Sequence, residues 1–252
     1  GTKRSDVFRI NRFFWKIFAL WPGKHPTKCY KYYSVVFLII VNVVYNLLLS
    51  VNLFCTPHNV QAFIEEALFF FTELAAMTKM IMIITKREKI IALFKIINCK
   101  EFQGRNQVDK TIIANSDSKY KICWKLYALT SNFSYFGIVF IPVILHFVFK
   151  TDLKLPIAKY YFLSDATKEK YFILLFIYQS IGIYVHMTYN VNIDSFMAGM
   201  IFVGVSELKI LNHNFSQLNL RSVKNKNKAI AENMKMMELN KVLLHYDLII
   251  RY

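Results

Sequence analysis

The stretch YFILLFIYQSIGIYVHMTYNVNI, residues 171–193, runs twenty-three residues without a charge, meets Asp194, and continues as SFMAGMIFVGVS to Ser206. As a helix, residues 171–206 reach about 54 Å at about 1.5 Å per residue. A bilayer core is about 30 Å thick and needs only about 20 residues. This stretch is therefore a membrane span with a continuation. If Tyr171 lies at one interface, Asp194 falls near the other, and the apolar excess must pack on protein rather than stand in water.

Composition supports a membrane class. Of the 252 residues, 55% are hydrophobic and 19% charged, with 23 Phe and 15 Tyr, far from an average soluble domain. A net charge of +16 would indicate nucleic acid or a membrane surface in a soluble protein; in a membrane protein it marks cytoplasmic loops. The chain starts at Gly1 and ends at Tyr252 inside an apolar pattern, which reads as part of something longer. No secretory signal peptide is visible. The four cysteines, Cys29, Cys55, Cys99 and Cys123, show no CxxC spacing, and since only Cys55 faces outward on the topology argued below, no extracellular disulfide is expected.

Upstream, YYSVVFLIIVNVVYNLLLSVNLF, residues 32–54, carries no charge and is the first span. Before it, Val7, Ile10, Phe14, Ile17, Phe18 and Trp21 recur at roughly helical spacing among Arg9, Arg12 and Lys16. That pattern fits an amphipathic helix on the inner membrane surface, or a short helix packed on its own domain. The second span covers about 63–85, with Glu65 and Glu66 at its start and Glu73 and Lys79 inside. Glu73 is expected to make an interhelical hydrogen bond, and Lys79 to snorkel toward the basic end.

Residues 86–122 form a long polar connection with nine Lys or Arg against four acids, in which Ile90, Leu93, Phe94 and Ile97 predict an amphipathic extension of the second span. The third span covers about 123–149, with Pro142 in its interior. A loop with five Lys against three acids then leads to the fourth span, about 171–206, and a basic stretch from Arg221 to Lys235 follows. The expected architecture is a single all-α transmembrane domain over 1–252. By the positive-inside rule its N-terminus is cytoplasmic, opposite to a G-protein-coupled receptor.

Sites of chemistry are few. There is no HExxH, no glycine-rich phosphate loop and no GxSxG elbow; the pattern calls for no enzyme, metal or cofactor. His186 and Asp194 are expected to be hydrogen-bonded at helix contacts rather than to relay protons. The basic run from Arg221 to Lys228 lacks interleaved aromatics, so it faces anionic membrane lipid and no nucleic acid is expected. What stands out is the aromatic and aliphatic character of the outer halves of spans two, three and four. Phe69, Phe70, Phe71, Tyr135, Phe136, Tyr178, Tyr184 and Met187, with Glu73, are the candidate lining of an apolar ligand cavity. Read singly, each of these also fits ordinary packing.

The segment FFWKIFALWP (residues 13–22), the basic connection after span two, Leu155-Pro156 in the second outer loop, Tyr178-Gln179, and Asp194-Ser195-Phe196 together resemble the insect odorant receptors. In that family a second proline usually precedes the acidic residue of the outer loop; here Ser164 precedes Asp165. The resemblance implies four transmembrane helices of an inverted seven-span receptor, with cytoplasmic helix extensions and three further spans beyond this chain. It also implies a plasma-membrane subunit that binds a small volatile odorant. With an odorant co-receptor it would form a hetero-tetrameric, ligand-gated, non-selective cation channel for olfaction. No long insertion after span four is evident, which implies a tuning subunit. Two readings stand beside it: a gustatory receptor of the same architecture, with a more polar pocket, and a transporter fragment, for which no repeat symmetry or pair of broken helices is found.

Overall fold

The computed structural model describes residues 3–21, 27–223 and 228–251, with side chains described outside 218–235. Among these residues there is no strand. A 3₁₀ turn (Arg4–Phe8) leads into α1 (Arg9–Ile17). The first long helix comprises α2 (Lys28–Leu38), a π-helical segment (Ile39–Val44) and α3 (Tyr45–Phe54). Then follow α4 (Val60–Thr85), α5 (Arg87–Ile97), a 3₁₀ turn (Lys100–Gln103), α6 (Gln107–Phe149), α7 (Asp165–Lys170), α8 (Phe172–Val223) and α9 (Lys228–Arg251).

Four of these stretches are long and apolar enough to cross a membrane: Lys28–Phe54, Val60–Thr85, Gln107–Phe149 and Phe172–Gln217. Their apolar side chains stay largely uncovered by protein. On α6, Leu129 is 68% and Phe133 78% exposed, and Leu126, Phe140 and Phe147 are exposed too. An apolar surface of this extent is stable only against hydrocarbon or another protein. The chain is a multi-pass membrane protein.

The connection after span two differs from its sequence reading. The backbone breaks at Lys86, whose φ of −94° and ψ of 11° lie outside the helical region, so α5 is a separate helix rather than an extension of α4. Its buried residues are nonetheless the expected Ile90, Phe94 and Ile97. Residues 107–122, read as polar connection, are the first turns of α6, and a side chain explains the start. Asp109 Oδ2 accepts from the backbone N–H groups of Arg105 (3.0 Å) and Asn106 (3.2 Å), satisfying donors that a helix start leaves unpaired. Likewise Ser164, the residue at which the chain departs from the outer-loop pattern, caps α7 by accepting from the Thr167 N–H at 3.3 Å. All four cysteines are free. The basic stretch Arg221 to Lys235 lies outside the residues whose side chains are described.

The chain forms two compact units: Gly1–Arg9, Lys86–Cys123 and Ser195–Tyr252 make one, Ile10–Thr85 and Trp124–Asp194 the other. In the first, Phe8 is fully buried, with its ring 5.1 Å from Phe196, 5.4 Å from Tyr120 and 6.0 Å from Phe94. Arg4 is buried beside it. Its guanidinium donates to the Phe102 carbonyl (2.8 Å) and the Ser206 hydroxyl (2.5 Å), and it pairs with buried Glu207. Removing one member of such a buried pair strands the other charge, at a cost of about 3–5 kcal/mol. Glu207 also faces His245 Nε2 at 2.7 Å.

In the second unit, α1 packs on its own domain. Asn11 Nδ2 donates to the Asn192 carbonyl at 2.9 Å, and Tyr189 donates to the Phe18 carbonyl at 2.9 Å. The buried face of α1 carries Asn11 and Trp15, while Ile10 and Ile17 are exposed. The helix is thus rotated from the face that the apolar spacing indicates, because Asn11 needs a buried acceptor and Trp15 is the largest ring available.

His245 yields a pH prediction. Burial, with the positive charges of Arg105 and Arg4, outweighs the carboxylates of Asp109 and Glu101 and holds its pKa below the usual histidine value. The neutral ring then donates from Nε2 to Glu207. An unfolded chain takes up a proton near pH 6.5, whereas the folded one waits for a lower pH. The stabilisation is complete above about pH 6.5 and is lost as pH falls through the depressed folded value. Thermal unfolding of the purified protein at stepped pH should show Tm falling below about pH 6.5, with a shallower fall in His245→Gln.

Candidate functional site

The site begins with a kink in hydrogen bonding. At the end of the π segment, the backbone N–H of Tyr45 turns to the Asn42 carbonyl, three residues back, not four as in a regular α-helix. Inside the segment, the Val41 carbonyl accepts from His186 Nε2 at 2.9 Å. His186 is 1% exposed, and its Nδ1 meets Glu73 Oε2. With Nε2 donating, contact between Nδ1 and a carboxylate oxygen requires one proton between them, so the pair carries no net charge. Glu73 thus makes the interhelical bond expected of it, and His186 lies at a helix contact. Such π-bulges recur at functional sites.

Loop 150–164 is tied down by three buried polar side chains. Gln179 Oε1 accepts from the N–H groups of Ile157 (3.0 Å) and Ala158 (3.2 Å), and its Nε2 donates to the Ala158 carbonyl (2.8 Å). Glu66 accepts from the Lys159 N–H at 3.2 Å and from Asn52 Nδ2 at 2.6 Å, while Asn52 Oδ1 accepts from the Tyr161 N–H at 2.8 Å. Outside this, the Lys159 ammonium bonds Glu65 at 3.2 Å, which raises the Lys159 pKa; so exposed a pair is screened by water and contributes little to stability. Burial raises the Tyr160 hydroxyl in the same loop.

Between α4, α6, α8 and this loop lies a cavity of about 670 Å³, within the range of small-molecule sites. Three stripes with identical spacing line it: Leu68, Thr72, Ala75 and Lys79 on α4; Tyr127, Ser131, Ser134 and Ile138 on α6; Ile183, Met187, Asn190 and Asp194 on α8. The offsets 0, 4, 7 and 11 place each set on one helix face. Phe69, Phe71, Glu73, Tyr135 and Ile157 complete the lining. Of the candidates read from sequence, Phe69, Phe71, Glu73, Tyr135 and Met187 come together here.

The remaining candidates stand behind or beside the wall. Phe70 and Tyr178 pack against the core around Tyr45, and Tyr178 donates to the Ile40 carbonyl at 2.9 Å. Tyr184 meets the Tyr135 ring edge-on at 5.2 Å. Phe136 stacks on Phe140 at 5.3 Å and is 45% exposed. Gly182 is required behind the cavity, because a Cβ there would run into the Tyr45 ring.

Lys79 does not snorkel. Its ammonium bonds Asp194 Oδ2 at 2.8 Å and Asn190 Oδ1 at 3.1 Å, and Tyr127 donates to the same Asp194 oxygen at 3.3 Å. A carboxylate within reach on α8 outcompetes the long path to water. These polar lining residues were missed by a search for aromatics, although the shared spacing of the three stripes carried the signal.

A helical multi-pass protein with an apolar cavity walled by three of its spans, polar at a few points, has the build of a membrane receptor for small ligands. Residues 59–252 match the family model described as 7tm Odorant receptor, and the chain belongs to that family, which decides against the gustatory and transporter readings. The fold is also that of the insect olfactory receptor OR5 from Machilis hrabei, with a TM-score of 0.71 at 15% identity over 97% of this chain and 66% of that one. The chain thus spans just under two thirds of that receptor's length. Among curated proteins none matches it.

The Glu73–His186 pair supplies a test. Glu73→Leu strands His186 and should lower stability by about 1–3 kcal/mol. Glu73→Gln, which can donate to Nδ1, should lose much less. Thermal unfolding of both variants and of the Glu73→Leu/His186→Leu double checks this; additive losses would exclude the coupling.

Proposed function

We propose that this chain is the four-span part of an odorant receptor subunit that binds a small, largely apolar volatile in the cavity between α4, α6 and α8. The observation that carries the reading is a cavity of about 670 Å³ in a chain of the odorant receptor family. Phe69, Phe71, Tyr135 and Met187 contact the ligand's body, with Glu73 held by His186 at the wall. Phe70, Phe136, Tyr178 and Tyr184 set the position of those side chains.

In this reading the four long apolar helices are the membrane spans of one domain, in the plasma membrane, with the N-terminus cytoplasmic. The excess of Lys and Arg over residues 86–122 supports that orientation. The subunit assembles with an odorant co-receptor into a tetrameric, non-selective cation channel. Ligand favours the open arrangement by binding it more tightly than the closed one.

Orientation is checked by glycosylation mapping, with an acceptor placed in 98–106 and, separately, in 150–164. Only the second should be modified; modification of the first alone rejects the orientation. The pocket is checked by odorant-evoked currents in cells carrying the receptor and co-receptor. Met187→Trp fills the cavity and Tyr135→Ala removes a wall. Each should raise the half-activating concentration by about 10-fold, the equivalent of about 1.4 kcal/mol. Unchanged dose–response curves for both exclude this cavity as the odorant site.

A further inference from the structure

The cavity is chemically lopsided, and this bears on which volatile it takes. Phe69, Phe71, Ile138 and Ile183 give it an apolar wall, while Lys79, Asn190, Asp194 and Tyr127 gather at one place in the lining. A lysine ammonium has three N–H groups. Asn190 and Asp194 take two of them, at 3.1 and 2.8 Å. Those bonds aim the head group, and Tyr127, donating to the same Asp194 oxygen, holds that carboxylate in turn. Lys79 lines the cavity and its side chain is 37% exposed, so the third N–H remains for a ligand there.

The charges balance. Lys79 is neutralised by Asp194, and Glu73 shares one proton with His186. A carboxylate or ammonium ligand would have to leave water for a site with no net opposite charge, which is costly. A hydrocarbon would exclude water from the ammonium and leave an N–H without an acceptor, also at a cost. A neutral molecule with an accepting oxygen meets neither penalty.

We propose that the cavity selects neutral aliphatic volatiles bearing one hydrogen-bond-accepting oxygen, ketones or esters, and that Lys79 is the specificity residue that donates to this oxygen. The proposal rests on the cavity being the odorant site. Asn190 and Asp194 are positioning residues that orient the ammonium.

The test is displacement of a fluorescent naphthylamine probe from the purified receptor complex by four eight-carbon molecules: methyl hexyl ketone, octane, octanoate and octylamine. The ketone should bind about 10-fold tighter than each of the others, the range of a hydrogen bond to a charged group. Lys79→Met should abolish its advantage over octane, and Lys79→Gln, which keeps an N–H donor, should retain most of it. If Lys79→Met does not fold, Lys79→Met/Asp194→Leu, which removes both charges, serves in its place. A ketone without advantage, one whose advantage survives loss of the lysine, or failure of all four to bind overturns the proposal. Met187→Trp separates the two readings. If it blocks the ketone while Lys79→Met leaves the ranking unchanged, the cavity stands and the specificity fails; if it leaves every ligand binding as before, the cavity itself is wrong.

Discussion

The contact of His186 with Glu73 and the Val41 carbonyl ties three helices through two hydrogen bonds and one proton. Inside hydrocarbon there is no water to satisfy an imidazole, a carboxylate or a backbone carbonyl. Each of the three groups would be a liability alone; together they neutralise one another. The Val41 carbonyl that accepts from His186 lies inside the π segment. Tyr45, immediately after the π segment, packs edge-on to the His186 ring at 5.1 Å and occupies the space that Gly182 leaves open.

The same rule governs the other polar side chains of α8. Gln179 takes up the backbone of the capping loop, Asn190 and Asp194 hold Lys79, and Asn192 accepts from Trp124 Nε1 at 3.3 Å. Hydrogen bonds of this kind contribute modestly one by one, but leaving a buried partner without one is expensive. Their effect is to fix the register of α4, α6 and the loop against α8. The cavity is what remains when helices held at that register present small residues, Thr72, Ala75, Ser131 and Ser134, toward one another.

Much of this was legible in the sequence. Charge-free runs at 32–54 and 171–193 announce spans because removing a peptide helix from water demands a long apolar exterior. The spacing of Ile90, Phe94 and Ile97 placed the buried face of α5 correctly. The start of α6 was not legible, since residues 107–122 are polar and their helix begins at a cap, Asp109, whose role appears only once the Arg105 and Asn106 N–H groups are seen to converge on it. The rotation of α1 escaped for a related reason: Asn11 looks like a surface residue until a carbonyl from α8 is found above it.

By itself the sequence determined the class of protein, the existence of four long apolar helices, and the need for Glu73, His186 and Asp194 to find partners, because hydrophobicity and the cost of buried charge depend on composition along a single chain. Tertiary structure alone decided which partners they found. It paired Lys79 with Asp194, 115 residues away, folded residues 157–161 onto Gln179, Glu66 and Asn52, and sorted the aromatics into those that line the cavity and those that brace it. Those choices depend on helix register and rotation, and a periodic apolar pattern leaves both undetermined when lipid and protein are equally good neighbours for an apolar side chain.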